Sequence, residues 1–164
     1  MLRVETSTFL DEVDSSYFNE NMTSIEIYAK NVNLPTEPSY YNKVSKIRLV
    51  NCRLSVPPPA LANYSMLSVL DLCENKLTEF PSDFFQKFQK LSSLDLSSNK
   101  LKNINCALPS TLTNLNISYN DSIDINSLWK QNLPQLTTLK LSFCNIDDLP
   151  PYVEQENKDD DDNS

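Results

Sequence analysis

The chain repeats itself, and this repetition constrains its fold more than any other feature of the sequence. The segment LSVLDLCENKLTEFP at 67–81 aligns with LSSLDLSSNKLKNI at 91–104, and four further copies are recognisable. Successive copies begin 21 to 24 residues apart. Such a period indicates an array of stacked structural units. The first positions of the copies are Met22, Val44, Leu67, Leu91, Leu112 and Leu136.

Each copy places apolar residues at its first, fourth, sixth and eleventh positions. The fourth and sixth side chains share one face of a short strand, because side chains alternate between the two faces. One copy cannot bury this face alone, but stacked copies bring the strands together in parallel, about 4.8 Å apart, around one continuous core. The predicted core pairs are Ile25/Ile27, Ile47/Leu49, Leu70/Leu72, Leu94/Leu96, Leu115/Ile117 and Leu139/Leu141.

The pattern L-x-x-L-x-L-x-x-N/C-x-L resembles that of the leucine-rich repeat family over residues 22–152. The resemblance implies an α/β fold, a right-handed solenoid with a parallel concave β-sheet and short helical or irregular convex returns. We expect an N-terminal cap segment at 1–21 and about six repeats at 22–152. The charged segment at 153–164 is expected to be a disordered acidic tail.

The ninth position of a copy must turn the chain away from the sheet. A side-chain amide there can pair the backbone groups that the bend leaves without partners. The first copy departs from the pattern with Lys30, so 22–35 is either an atypical capping repeat or a wrong assignment. The other copies hold Cys52, Asn75, Asn99, Asn120 and Cys144 at this position.

The ends and the returns of the solenoid are less regular. The sequence predicts a short helix at 81–90, an extended run before a turn at 56–65, and one helical turn within 126–135 that buries Leu128 or Trp129. An apolar set at roughly helical spacing could cover the first repeat. This set is Phe9, Leu10, Val13, Tyr17 and Phe18.

The chain has no Gly and no His, and both absences exclude chemistry. Phosphate-binding loops, dinucleotide fingerprints and nucleophile elbows need Gly, while an imidazole base or ligand needs His. The four cysteines contain no C-x-x-C pair, so we expect no metal site and no cofactor. These features predict a protein that is not an enzyme.

Charge and cysteine usage suggest a compartment. The net charge is −8 and no basic stripe is visible, which argues against a nucleic-acid partner. No apolar run reaches the roughly 18 residues of a membrane span. Four isolated cysteines predict free thiols in a reducing compartment, hence a cytoplasmic location. We also expect a monomer. The alternative is the extracellular face of a membrane receptor whose leader is missing from this chain.

Four Asn-x-Ser/Thr motifs offer only weak support for secretion. They begin at Asn21, Asn63, Asn116 and Asn120. A chain this rich in Asn, Ser and Thr produces roughly three or four of them by chance. Asn120 also occupies a ninth position and should be buried.

The concave face carries the candidate binding residues, because positions two, three, five, seven and eight point away from the core. Asp71, Glu74 and Asp95 form a predicted acidic patch in the middle of this face. Tyr119 and Phe143, with Lys140, form an aromatic patch toward the last repeat, and exposed aromatic residues suit a binding hot spot. The complete predicted set is Tyr28, Arg48, Asp71, Glu74, Asp95, Tyr119, Lys140 and Phe143.

The resemblance implies a non-catalytic protein–protein interaction module or scaffold that binds a partner protein across its concave face. Two other functions stay open at this point. The chain could be an ectodomain fragment of a membrane receptor, with a kinase elsewhere in the protein. It could also be the regulatory subunit of an enzyme such as a phosphatase.

Overall fold

The computed structural model describes residues 2–5 (backbone only), 18–30, 32–36 and 41–146. Within them a seven-stranded sheet forms, with strands in chain order and every neighbouring pair parallel. The strands are β1 (Leu2–Glu5), β2 (Ser24–Tyr28), β3 (Lys46–Leu49), β4 (Val69–Asp71), β5 (Ser93–Asp95), β6 (Asn114–Asn116) and β7 (Thr138–Lys140).

The register of this sheet confirms the alignment of the six copies. Every fourth-position residue lies opposite the fourth-position residue of the next copy, starting with Ile25 opposite Ile47. The copy at 22–35 is therefore a true repeat despite Lys30. The fourth- and sixth-position side chains of the first five copies are at most 1% exposed, so they form the continuous core that stacking requires.

Strand β1 adds one parallel strand to the sheet ahead of the first predicted repeat. Leu2 and Val4 pair with Ile25 and Ile27, the core positions of β2. The segment expected to be only a cap thus begins with a strand of the same sheet. Phe18 is buried against the core, whereas the other four apolar residues predicted to cover the first repeat lie outside the described residues.

The return segments agree with two predictions and contradict one. A 3-10 helix, Pro59–Asn63, follows the extended Pro57–Pro58, and helix α1, Asn126–Trp129, is one turn that buries Leu128. The helix predicted at 81–90 is wrong, because that segment is a series of turns. Most of its hydrogen bonds span three residues, as in Phe88 N to Phe85 O at 3.1 Å, and its three phenylalanines are buried.

The last copy differs from the others in burial. Leu136, Leu139 and Leu141 are only partly buried, whereas the matching residues of the preceding copy are at most 1% exposed. The described part of the chain has no strand beyond β7 that could cover them. Residues 147–164, which include the predicted acidic tail, lie outside the described residues.

Candidate partner-binding face

The eighth residue of each copy from the second onward bends the chain away from the sheet in the left-handed conformation. These residues are Asn51 (φ 54°), Glu74 (φ 57°), Ser98 (φ 53°), Tyr119 (φ 58°) and Phe143 (φ 55°). The conformation costs an L-residue about 1–2 kcal/mol, and only Gly adopts it freely. In a chain with no Gly, this cost recurs at each bend.

The bends of the last two copies expose two aromatic rings that stack on each other. The ring centroids of Tyr119 and Phe143 are 4.7 Å apart and the ring planes differ by 14°. Tyr119 is 53% exposed and Phe143 is 72% exposed. The two rings do not belong to the core, and together they form an exposed apolar patch on the concave face.

Lys140 lies in the fifth-position column of the same two copies, on the strand directly after Asn116. Within the described residues it forms no ion pair with a carboxylate. Asp95 accepts a hydrogen bond from Asn116 Nδ2 at 3.0 Å. Lys140 itself is exposed.

Arg48 joins the first half of the concave face into a charged network. Its guanidinium donates to Asp71 Oδ2 through Nε at 3.0 Å, and it also lies 3.5 Å from Glu26 Oε1. Tyr28 donates its hydroxyl to the same Glu26 oxygen at 2.6 Å. Partial burial alone would lower the pKa of Arg48, but the hydrogen bond and charge of Asp71, with Glu26, raise it. Tyr28 and Arg48 thus stabilise neighbouring carboxylates.

The acidic patch expected in the middle of this face is smaller than the sequence suggested. Asp71 is only 6% exposed, because Arg48 covers its carboxylate. Glu74 is exposed and Asp95 is half-buried, so these two residues remain as accessible acids. The patch is smaller because Arg48, one copy earlier in the same column, pairs with Asp71.

One cluster on this face has the residue types of a metal site. Ligand atoms of Asp71, Cys73 and Asp95 lie within 4.8 Å of one another. However, the carboxylate oxygens already accept hydrogen bonds, including one from Ser97 Oγ to Asp95 at 2.6 Å. Burial and the hydrogen bond to Asp71 strongly raise the pKa of Cys73, so the thiol is protonated at neutral pH.

A column of hydroxyl groups at the second position was missed by the sequence reasoning, which placed these residues on the open face. Ser68 Oγ donates to Ser45 O at 3.1 Å, and Ser92 Oγ donates to Ser68 O at 3.0 Å. The bonds continue through Thr113 and Thr137. The available signal was a Ser or Thr at the second position of every copy.

The ninth-position cysteines substitute for one function of Asn. Asn75 Nδ2 donates to the sixth-position carbonyl of the preceding copy, Leu49 O, at 2.7 Å. Cys52 Sγ makes the equivalent contact with Ile27 O at 3.3 Å, and Cys144 Sγ lies 3.1 Å from Ile117 O. All four cysteines are free thiols. Burial raises the pKa of Cys52 and of Cys106 to about 11, which keeps both neutral near pH 7.

The described residues include no helix long and apolar enough to cross a bilayer.

Comparisons with known proteins agree with the geometry. The leucine rich repeat family model matches residues 42–101 and 65–121. Osteomodulin from Rattus norvegicus is 29% identical over 112 residues, which cover 67% of this chain but only 24% of osteomodulin. Toll-like receptor 10 from Bos taurus is 36% identical over 83 residues, or 50% of this chain and 10% of the receptor.

The solenoid also matches solved structures. The crystal structure of Listeria monocytogenes InlP superimposes with a TM-score of 0.65 and 24% identity, over 86% of this chain and 40% of InlP. The chain spans less than a third of the length of the two curated relatives named above. With six copies in one register around one core, the chain is a leucine-rich repeat protein.

Proposed function

We propose that this chain is a non-catalytic protein-interaction module, and that it holds a partner protein on the concave face around Tyr119, Phe143 and Lys140. The observation that carries the proposal is the exposed, stacked aromatic pair. Large aromatic side chains in water contribute little to folding, whereas a partner that buries them gains roughly 25 cal/mol per Å² of apolar surface. Aromatic residues are enriched among binding hot spots for this reason.

The charges on the concave face favour a partner that presents an acidic side chain. Lys140 is exposed and has no ion pair among the described residues, so a carboxylate on the partner could pair with it beside the rings. In contrast, Arg48 is already engaged by Asp71 and Glu26. We therefore expect the partner to present an apolar side chain to the rings and an acidic side chain to Lys140.

Tyr28, Arg48, Asp71, Glu74 and Asp95 have a secondary part in this proposal. The first three belong to an internally paired network, so breaking their mutual contacts would oppose binding. Glu74 and Asp95 are the accessible acids of the face, and they would repel an acidic partner that is out of register. They set where the partner lies rather than how tightly it binds.

The receptor-ectodomain alternative has one observation in its favour. Toll-like receptor 10 is, by name, a receptor, and half of this chain aligns with it. This relative favours the extracellular alternative over the cytoplasmic expectation. Sequencing the transcript on both sides of this chain decides between them: a downstream membrane span supports a receptor, and its absence from the complete protein contradicts one.

The binding proposal is tested with a partner identified by affinity purification from the source cell and then purified. We expect Tyr119→Ser with Phe143→Ser to weaken binding by about 2 kcal/mol or more, which is about 30-fold in Kd. The control is Lys87→Ser with Lys90→Ser, since both lysines are exposed in the return segment. Full-strength binding by the aromatic variant would place the partner elsewhere, and Glu74 and Asp95 would be tested next.

A further inference from the structure

The four Asn-x-Ser/Thr motifs, indistinguishable by sequence pattern, have very different surroundings in the fold. N-linked glycosylation joins Asn Nδ2 to the first sugar of an oligosaccharide, and the folded protein must leave that side chain in solvent. The motifs begin at Asn21, Asn63, Asn116 and Asn120, in different parts of the repeat. Their burial and hydrogen bonds therefore sort them into two groups.

Asn120 is incompatible with a glycan in the folded protein. Its side chain is fully buried, and Nδ2 donates to Ile117 O at 2.8 Å and to Leu96 O at 3.1 Å. Its Oδ1 accepts from Leu101 N at 3.0 Å. A sugar on Nδ2 would fill the space of these bonds and leave buried backbone groups unpaired.

Asn116 is also unsuitable, for a different reason. It lies on the concave face, where Nδ2 donates to Asp95 Oδ2 at 3.0 Å and Oδ1 accepts from Ser118 N at 3.1 Å. Its strand neighbour in register is Lys140. A glycan on Nδ2 would crowd the hydrogen bond to Asp95 and cover the face that carries the aromatic pair.

Asn21 and Asn63 share none of these constraints. Asn21 is exposed in the turn before β2, and Asn63 is exposed at the end of the 3-10 helix on the return side. Neither side-chain amide makes a hydrogen bond to the described residues. The third residues of their motifs, Thr23 and Ser65, are exposed as well.

We propose that Asn21 and Asn63 are N-glycan acceptor sites of this protein, and that Asn116 and Asn120 carry no glycan in the folded chain. The donor is an oligosaccharide on a lipid diphosphate. A bond forms between Asn Nδ2 and the anomeric carbon of the first N-acetylglucosamine, the bond from that carbon to the lipid diphosphate breaks, and Nδ2 loses one proton. Both sites lie off the concave face, so the glycans leave the aromatic pair accessible.

The free thiols do not oppose passage through an oxidising compartment. Cys52 and Cys106 are buried, and the raised pKa of each leaves little of the thiolate that oxidation requires. Cys73 is held neutral by burial and by Asp71. Burial also raises the pKa of the partly buried Cys144, so all four thiols have a raised pKa in this fold.

The test is secretion of the full chain, behind a cleavable signal peptide, from a cultured animal cell line. The folded monomer is isolated, and its glycosylated asparagines are mapped by mass spectrometry after enzymatic deglycosylation in heavy-oxygen water, which marks each former site as Asp. We expect marks at Asn21 and Asn63 only. A mark at Asn116 or Asn120, or an unmodified Asn21 or Asn63, overturns the proposal.

Matched variants separate glycan loss from misfolding. Asn21→Gln and Thr23→Ala should each remove the same single glycan, and Asn63→Gln and Ser65→Ala should each remove the other. The affected side chains are exposed, so the circular dichroism spectrum should not change. Loss of the Asn21 glycan in Asn21→Gln but not in Thr23→Ala would show that the modification is not of this type, and would also overturn the proposal.

Discussion

The side-chain amide of Asn99 joins two copies of the repeat, because its Nδ2 donates to Leu72 O of the preceding copy at 2.9 Å. The same nitrogen donates to Leu96 O of its own copy at 3.0 Å, and Oδ1 accepts from Leu77 N at 3.0 Å. One buried amide thus pairs backbone groups on both sides of a bend. A residue without an amide there would leave those groups buried and unpaired.

Asn99→Ala should lower the free energy of unfolding by about 1–3 kcal/mol, since it leaves buried backbone groups without partners. Urea denaturation followed by circular dichroism measures the change. The matched control is Lys100→Ala, one residue further along, where the side chain is exposed and the expected change is within about 0.5 kcal/mol. Equal midpoints for the two variants would contradict the role of the ninth position.

The role of Asn99 could be predicted from sequence because it depends on spacing alone. The same is true of the core columns and of the outward direction of Tyr119 and Phe143, which follow from the period of a strand and from the repeat. Strand β1 was missed because Leu2-Arg3-Val4-Glu5 offers one alternation and no second copy to align with. A single short alternation does not distinguish a strand from a loop.

Side-chain contacts within a column could not be predicted from the repeat. The register of the strands shows that Arg48 and Asp71 are neighbours. It does not show that the guanidinium covers the carboxylate and leaves Asp71 only 6% exposed. That outcome depends on side-chain rotamers and on the charge of Glu26 on the other side. The left-handed bends were also missed, since they need backbone angles and no Gly marks them.

The Arg48–Asp71 pair should show energetic coupling in a double-mutant cycle. Arg48→Ala leaves a nearly buried carboxylate without its cation and should destabilise the fold by about 1–2 kcal/mol, a value reduced because Arg48 itself is exposed. Asp71→Asn removes the charge and keeps an acceptor for Cys73 N. In the Asp71→Asn background, Arg48→Ala should therefore have a smaller effect.

Thermal or urea unfolding of the four proteins in the cycle measures the coupling, expected to be about 0.5–1.5 kcal/mol. Lys46→Ala serves as the control, because Lys46 is exposed on the same strand and its effect should not depend on residue 71. Strict additivity of the Arg48 and Asp71 changes would show that the pair contributes nothing beyond each residue alone.

Cys52 and Cys106 should be inert in the native protein and reactive after unfolding. Burial raises the pKa of both thiols from 9.0 to about 11, so the folded state keeps protons that the unfolded state releases. Unfolded protein at pH 8 without reductant should therefore yield four reactive thiols, while native protein leaves these two unlabelled. Mass spectrometry after alkylation identifies the labelled residues.

The raised pKa of Cys52 and Cys106 also predicts that stability depends on pH. Between about pH 9 and pH 11 the unfolded state binds fewer protons at these two thiols than the folded state, so the free energy of unfolding should fall as the pH rises through that window. Below pH 9 both states are protonated there and these thiols contribute no slope. Replacement of both cysteines by Ala should remove this part of the slope, and an unchanged slope would contradict the assignment.

The left-handed bend at Glu74 allows a direct measurement of how much a residue other than Gly destabilises the fold at this position. Its φ is 57° and its side chain is exposed, so Glu74→Gly relieves an unfavourable conformation of about 1–2 kcal/mol without emptying the core. Part of this gain is offset by the greater freedom of Gly in the unfolded chain, about 0.4–1 kcal/mol. Glu74→Gly should therefore be more stable than Glu74→Ala by about 0.5–1 kcal/mol, as measured by urea denaturation. The Ala variant is the proper reference, since both variants remove the same charge.

At Glu79, which is exposed and has a negative φ, the order of the Gly and Ala variants should be reversed, because Gly there brings only additional freedom to the unfolded state. A Gly variant less stable than its Ala counterpart at both positions would show that the bend carries no strain. If the gain at Glu74 is observed, the bends at Tyr119 and Phe143 bear the same cost with far larger side chains. Stability alone would then favour Gly at those two positions, where the stacked aromatic rings are found instead.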